Sequence, residues 1–169
     1  MSGAQAKAAT IAGAACIVAE TNEHAARKRF SQGWLTNVTN DLDEAIDLMV
    51  DAADKKHPIS IGYIGNIVEL WERCIEREVK IHLGSDQTSL HNPFQGGYYP
   101  AGFTYQESTE MLSERPEEFE KEVDPRKSLR DSVNKKFAQT LQSQLKKELS
   151  HTDLFNSNNN KMSASPRGS

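Results

Sequence analysis

Residues 59–71 have the sequence ISIGYIGNIVELW and join a strand pattern to a helix pattern. The first six residues are rich in β-branched and aromatic side chains, which favour a buried strand. Gly65 marks the turn, and Asn66 is a good N-cap for a helix that continues to Glu78. One face of that helix is apolar and carries Ile67, Val68, Leu70, Trp71, Cys74 and Ile75. The stretch therefore predicts a strand–turn–helix unit of an α/β protein.

The segment before this unit repeats the alternation of helix and strand. Residues 2–14 are small and mostly helix-favouring, and residues 16–20, CIVAE, predict a strand. Asn22 is a good N-cap for a short helix that ends before Gly33. No strand pattern precedes the first of these helices.

Two more strands and one more helix complete the pattern. Residues 34–38 fit a short strand, Asp41 opens a helix that Pro58 stops, and residues 79–83 fit a further strand. Strands that alternate with helices of this length predict βαβ units, a parallel sheet and right-handed crossovers. The predicted fold is therefore α/β, with a Rossmann-like doubly wound parallel sheet.

Ligands of doubly wound sheets bind outside the carboxyl ends of the strands. We therefore expect functional residues in the turns after Glu20, Ile64 and Leu83. Glu20 stands where a dinucleotide fold holds the acid that bonds a ribose hydroxyl, and an ordinary strand end is the alternative. Asn66 either contacts a ligand or is a plain N-cap. The small residues 1–6 open a helix whose unpaired N–H groups suit a phosphate.

Residues 84–102 form a long segment with many polar and aromatic side chains. Its first eight residues, GSDQTSLH, carry six polar side chains directly after a predicted buried strand, which favours ligand contact. Asp86 could orient His91 or bond its own backbone, and His91 could meet a ligand or lie on the surface. The density of aromatic residues favours a functional loop over a disordered linker.

The part after this loop is predicted to be helical. Thr104 and Glu107 form a capping box, and Pro116 and Pro125 each fit the first position of a later helix. An apolar stripe then recurs at every fourth residue, and a stripe this narrow needs a partner surface to be stable. The stripe consists of Leu129, Val133, Phe137, Leu141, Leu145 and Leu149.

Length and charge limit the classes of protein that the chain can belong to. Its 169 residues, 37% of them hydrophobic, are enough for one domain with a core. We assign residues 1–123 to the α/β domain, 124–149 to a helical extension and 150–169 to a disordered tail. Because 20 Lys and Arg are interspersed with 24 Asp and Glu, we expect neither nucleic acid nor a membrane as partner.

The N-terminal apolar run and the cysteines bear on compartment and chemistry. Residues 8–19 are interrupted and too short to span a bilayer, so we expect a soluble, cytoplasmic protein. Cys16 and Cys74 lack CxxC spacing, which argues against a disulfide framework and against a metal site. The sequence contains no HExxH motif and no full Walker loop. We also expect no catalytic role for His24, His57, His82 and His151.

Three segments resemble the urocanase (urocanate hydratase) family in order and spacing. They are MSGAQAKAATIAG at 1–13, IGYIGNIVELWER at 61–73 and LGSDQTSLHNPFQGGYYPAGFTYQE at 83–107. The resemblance runs from Met1 to about Val133 and is closest to eukaryotic members. It implies a lyase of histidine catabolism that holds NAD tightly as an electrophile while water adds to urocanate and gives imidazolonepropionate. Because full-length members are dimeric, it also implies a homo-oligomer.

The resemblance implies cofactor-binding residues at three turns. Met1 and Ser2 match the end of the family's glycine-rich pyrophosphate turn. Glu20 matches its ribose-binding acid. Asn66 and Ile67 match a turn that contacts NAD through backbone and amide.

Two further groups of residues match the family's cofactor loop. Tyr98 and Tyr99 match the aromatic pair that follows shortly after the QTS-x-H motif of the family. Outside this loop, Ala25 departs from the family, because bacterial members carry a cofactor-contacting Arg there. The QTS-x-H motif of the family is matched by Gln87, Thr88, Ser89, Leu90 and His91.

The resemblance also implies that family features are missing. The chain begins at the methionine inside the family's GLGGM turn, so we expect the first strand and most phosphate-binding glycines to be absent. The region with the active-site cysteine is absent too, and neither Cys16 nor Cys74 replaces it. We therefore assign no catalytic residue and expect that this fragment does not turn over urocanate alone.

Three hypotheses about function follow. The chain is a urocanate hydratase fragment, a non-catalytic NAD-binding module, or an interaction protein that associates through its stripe helix. Loss of the ultraviolet absorbance of urocanate tests the first, and NAD binding tests the second. Deletion of residues 127–149 tests the third, because it should then change the oligomeric mass.

Overall fold

The computed structural model describes residues 3–84 and 93–123, together with five helical positions between 138 and 146. Several predictions made from sequence lie outside these residues. They concern Met1, Ser2, the QTS-x-H motif at 87–91, the helix start at Pro125, the whole apolar stripe and the tail. These remain predictions.

In the part of the chain that the structure describes, three parallel strands form the sheet, in the order β1, β3, β2. They are β1 at Ala15–Glu20, β2 at Asn37–Thr39 and β3 at Ile59–Ile64. The register pairs Ala15 with Ile59 and Glu20 with Ile64, so β1 and β3 begin and end at the same level. Their carboxyl ends therefore lie side by side at one edge of the sheet.

Within residues 3–84 and 93–123, six helices surround this sheet or follow it. They are α1 at Gly3–Ile11, α2 at Glu23–Ser31, α3 at Leu42–Asp54, α4 at Ile67–Glu76, α5 at Tyr105–Glu114 and α6 at Pro116–Val123. A short 3₁₀ turn covers Pro93–Gln95. None of the helices in the described ranges is long and apolar enough to cross a membrane.

The strand order places helices on both faces of the sheet. The chain crosses from β1 over β3 to β2 and then returns to β3, so its two crossovers run in opposite directions. When both are right-handed, α2 and α3 lie on opposite faces. Lys7 in α1 donates to the Gly33 carbonyl just after α2, at 3.3 Å, and so links α1 to the α2 side. The predicted doubly wound α/β layout is confirmed.

The main core lies between the sheet and the helices α3 and α4. Ile61 and Tyr63 project from β3 and pack with Ala45 and Ile46 of α3. Leu70 and Cys74 of α4 complete the buried cluster. Of the apolar face predicted for residues 66–78, Ile67, Leu70 and Cys74 therefore pack on the main core, whereas Val68 and Trp71 form a separate small cluster with Ala101.

Two strand predictions were wrong in part or in whole. The ladder of β2 begins at Asn37 rather than at residue 34. Before Asn37, side-chain hydroxyls take the place of some backbone partners: the Ser60 hydroxyl donates to the Trp34 carbonyl at 3.2 Å, and the Ser60 N–H donates to Thr36 Oγ1 at 3.0 Å. Residues 79–83 form no strand. After Glu78, which has a positive φ of 49°, the N–H of Val79 bonds back to the Cys74 carbonyl at 2.9 Å. Leu83 is 86% exposed, so apolar composition alone did not produce a strand here.

A second, smaller core holds α5 and α6 together. Phe119 is fully buried with Met111 and Val123, and Tyr98 and Phe103 pack against them. The predicted capping box at Thr104 and the predicted helix start at Pro116 are both confirmed.

Candidate functional site

The turns after β1 and β3 meet at the carboxyl edge of the sheet. The N–H of Gly65 donates to the carbonyl of Glu20 at 3.1 Å, which joins the two strand ends directly. Sequence analysis placed functional residues in these two turns. The parallel register brings them together, as expected for a ligand edge of a doubly wound sheet.

Glu20 ends β1 with its half-buried carboxylate held in a defined orientation. Its Oε1 accepts a hydrogen bond from the backbone N–H of Asn22 at 3.0 Å. A carboxylate accepts hydrogen bonds through both oxygens and about four lone pairs, so it can hold several donors at once. Hydroxyl donors such as those of a ribose match that chemistry.

Asn66 is buried, and both ends of its side-chain amide contact protein atoms. Its Oδ1 accepts from the N–H of Val68 at 3.0 Å and caps α4. Its Nδ2 donates to the carbonyl of Tyr99 at 3.2 Å, with the Pro100 carbonyl at 3.5 Å. The N-cap interpretation is therefore confirmed, and the same side chain also reaches the loop that precedes α5.

That loop continues into α5, and we call residues 98–105 the aromatic segment. The rings of Tyr99 and Tyr105 lie with centroids 5.4 Å apart. Tyr105 also accepts a hydrogen bond at its hydroxyl from Nδ2 of Asn22, at 3.1 Å. Burial raises the pKa of Tyr99, and the neighbouring Tyr105 and the negative charge of Glu20 raise it further. The bond to Asn22 and the ring contact therefore place Tyr105 and Tyr99 at the carboxyl edge, beside the turn that follows β1.

The two tyrosines matched as an aromatic pair have different surroundings. Tyr98 packs against the core of α5 and α6, beside Met111 and Phe119. Tyr99 instead pairs with Tyr105 near Glu20. The two side chains are therefore not equivalent, and Tyr99 is the one that belongs to the edge.

The ring of Tyr63, near the end of β3, explains why residue 65 is a glycine. A Cβ added at Gly65 would come within 2.3 Å of the Tyr63 ring. The Tyr63 hydroxyl donates to Glu69 Oε2 at 2.9 Å, and burial raises the pKa of Tyr63. The space beside Gly65 is therefore filled by protein, which explains the glycine without a ligand.

The remaining candidates have simpler surroundings. Ile67 is half-buried against the main core, and Ala25 donates its N–H to the Asn22 cap at 3.2 Å. His24, His57 and His82 are exposed.

Burial raises the pKa of Cys74 to about 11 and also raises that of Cys16, so both thiols are protonated at neutral pH. This agrees with the expectation that neither acts as a nucleophile.

Sequence analysis missed two residues of this edge. Asn22 was interpreted only as a helix cap, and Tyr105 was not considered. Their contact joins positions 83 residues apart, which no local pattern encodes. Within the described ranges, no group of His, Cys, Asp and Glu is arranged to hold a metal ion.

The chemistry of the edge fits a nucleotide cofactor. Glu20 offers a carboxylate acceptor for sugar hydroxyls, and Tyr99 and Tyr105 offer aromatic surface beside it. Tyr105 is 37% exposed, so part of that surface is open to a ligand. Residues of these types at the end of a parallel sheet suit a ribose and a base better than they suit a metal or a polyanion.

Comparison with known proteins gives a consistent result. A family model described as the urocanase Rossmann-like domain matches residues 1–151. The chain is 52% identical over 124 residues to a probable urocanate hydratase of Caenorhabditis elegans. It is 48% identical over 124 residues to the urocanate hydratase of Mus musculus, and 45% identical over 139 residues to that of Homo sapiens.

These alignments cover most of this chain and a small part of each relative. They include 73%, 70% and 79% of the chain but only 18%, 18% and 20% of the three relatives. The chain thus spans about a fifth of the length of the curated proteins that it matches. The family match continues beyond Val133, where the resemblance by motif was expected to end.

Proposed function

The chain belongs to the urocanase family, and we propose that it is the NAD-binding segment of a urocanate hydratase. The observation that carries the proposal is the position of Glu20. It ends a parallel strand beside the turn that follows β3, with its carboxylate oriented by the Asn22 N–H. An acid at this place in a Rossmann-like fold bonds the ribose hydroxyls of NAD.

The residues proposed to hold NAD surround that carboxylate. Glu20 binds the ribose, Met1 and Ser2, which precede α1 in the sequence, approach the pyrophosphate, and the turn at Asn66 and Ile67 contacts the cofactor from the end of β3. The remaining residues proposed for the site are Gln87, Thr88, Ser89, Leu90, His91, Tyr98 and Tyr99. When bound, NAD supplies the electrophile that activates the imidazole ring of urocanate toward addition of water.

The wider role follows from the named relatives. Three of them are described as urocanate hydratases or probable urocanate hydratases. We propose urocanate as the substrate of the whole polypeptide, a cytoplasmic location and a homo-oligomeric state. Within this chain, the described residues serve to bind and orient the cofactor.

Calorimetric titration of the purified chain with NAD tests the proposal. We expect saturation near one equivalent. Because the Glu20 carboxylate would repel a 2′-phosphate, NADP should bind more weakly than NAD. The absence of heat with either nucleotide would contradict an NAD-binding role for the chain.

The variant Glu20→Ala sharpens the test. Loss of a hydrogen bond to a charged acceptor should weaken NAD about tenfold to a hundredfold. Glu20→Gln retains an oxygen for the Asn22 N–H and removes the charge, so its effect should be smaller. Glu114→Ala, an exposed acid at the end of α5, is the matched control and should bind as the parent does. Equal affinity of the parent and Glu20→Ala would refute the assignment of the ribose acid.

A further inference from the structure

Asn22 and Asn66 have the same arrangement at two different turns. Asn22 caps α2 through its Oδ1, which accepts from the Ala25 N–H at 3.2 Å. Asn66 caps α4 through its Oδ1, which accepts from the Val68 N–H at 3.0 Å. In both cases, helix capping uses only the oxygen of the amide.

The nitrogen of each amide then donates to the aromatic segment. Asn22 Nδ2 lies 3.1 Å from the Tyr105 hydroxyl, and Asn66 Nδ2 lies 3.2 Å from the Tyr99 carbonyl. The two bonds link the turns after β1 and β3 to opposite ends of the same segment. We call this pair of bonds the asparagine clamp.

A third cap in the same fold shows why the amide matters. Asp41 caps α3 with its carboxylate, which accepts from the Glu44 N–H at 3.0 Å. Aspartate and asparagine are about equally good N-caps, so capping by itself does not require an amide. The NH₂ donor is what Asn22 and Asn66 have and Asp41 lacks, and at both asparagines that donor is in use.

We propose that Asn22 and Asn66 are positioning residues that hold the aromatic segment, and with it the rings of Tyr99 and Tyr105, over the carboxyl edge of the sheet. Apolar contact between this segment and α4 is limited to Ala101 against Val68 and Trp71 among the clusters of described residues. Tyr98 and Phe103 pack instead on the core of α5 and α6, so the directional bonds of the clamp link the segment to the turns of the sheet, where its packing against α4 is slight. The side chain of Asn66 acts on the nucleotide through the segment, because both ends of its amide are engaged with protein, and the contact proposed for its turn is made by backbone groups.

The effect on the cofactor rests on the proposed NAD-binding function, whereas the clamp itself does not. Asn22→Asp, Asn66→Asp and the double variant test it, because each keeps the cap oxygen and removes the NH₂ donor. We expect amide hydrogen exchange at residues 98–105, measured without NAD, to rise about fivefold to tenfold in each single variant and more in the double. Protection of the first turns of α2 and α4 should be unchanged.

Two further measurements separate positioning from general stability. In the double variant, the ring signals of Tyr99 should titrate at a lower pH than in the parent, because the ring moves away from Glu20 and from burial. NAD affinity should fall while the midpoint of urea unfolding of the α/β core stays the same. Asp41→Asn, which changes a cap that has no link to the segment, is the matched control and should alter none of these quantities.

The possible outcomes are distinct. Unchanged exchange at residues 98–105 in the double variant would overturn the proposal, whatever NAD does. If the parent chain binds no NAD, the proposed function fails, and the exchange data still decide the clamp. Should an aspartate variant fail to fold, Asn66→Ser keeps a capping hydroxyl that is too short to reach the Tyr99 carbonyl, and the same exchange result is expected.

Discussion

At the scale of single residues, the buried side chain of Tyr63 in β3 explains why residue 65, in the turn that follows, is a glycine. Tyr63 is 5% exposed, packs in the main core and donates to Glu69. Its ring occupies the space where Gly65 would carry a Cβ. Because the ring is held by packing and by a hydrogen bond, it does not move away without loss of both.

Gly65→Ala should therefore destabilise the protein by about 1–3 kcal/mol through overpacking. Urea unfolding measures the change in the free energy of unfolding. In a Tyr63→Leu background the ring is gone, and the same substitution at Gly65 should cost clearly less. Equal costs in the two backgrounds would show that the glycine is needed for another reason.

Single residues also show how much of the candidate site was visible in the sequence. Glu20 and Asn66 were identified because each stands in a predictable place, at the end of a strand or the start of a helix. Tyr105 was missed because its role depends on a contact with Asn22, 83 positions away. A residue of that kind carries no local signal.

At the scale of elements, the capping box of α5 is the clearest case in which local sequence encodes structure. The N–H of Thr104 donates to Glu107 Oε2 at 2.8 Å, and the N–H of Glu107 donates to Thr104 Oγ1 at 3.2 Å. The bond from the Thr104 N–H holds the pKa of Glu107 below its usual range. The ionised carboxylate therefore stabilises the start of α5.

This lowered pKa predicts an acid-sensitive helix start. Because the folded pKa lies below the unfolded one, the stabilisation is present above about pH 4.5 and is lost as the pH falls through the folded value. Amide exchange in the first turn of α5 should then increase more steeply below pH 4.5 than exchange in β3. In Glu107→Gln that pH dependence should disappear, and its persistence would assign it to another group.

Elements also differ in how well their sequences predict them. The helices and β3 were predicted to within a few residues, because capping residues and apolar periodicity mark their ends. Residues 79–83 have a strand-like composition but form no ladder. A segment becomes a strand only where a neighbouring strand pairs with its backbone. The amino-acid composition of the segment does not show whether such a strand is present.

At the scale of the whole molecule, the described residues contain two large buried clusters. One lies between the sheet and α3 and α4, and the other joins α5 and α6 through Met111, Phe119 and Val123. The aromatic segment connects them and is held by the asparagine clamp. Because a short segment connects the two cores, a destabilising substitution in one core is expected to unfold that part of the protein and not the whole domain.

Phe119→Ala tests this expectation. Removal of a fully buried phenylalanine should cost about 3–5 kcal/mol, and the loss should appear in α5 and α6. Hydrogen exchange should therefore increase strongly at residues 105–123 and little in β3. Ile46→Ala, at a fully buried position of the main core, is the matched control and should show the reverse pattern. An equal loss of protection in β3 would mean that the two cores unfold as one unit.

The family, the α/β class and most helix boundaries of this protein could be inferred from its sequence alone. These properties depend on helix caps, on the spacing of apolar residues and on the order of motifs, which are features of the sequence along the chain. The packing of the elements was needed to find the strand order, the absence of a strand at 79–83, the different surroundings of Tyr98 and Tyr99, and the second contact made by Asn22 and Asn66. Each of these features depends on which backbone donor, acceptor or ring from a distant part of the sequence lies next to a given residue. Packing of the elements determines these neighbours, because hydrogen bonds and close contacts act over a few ångströms regardless of separation along the chain.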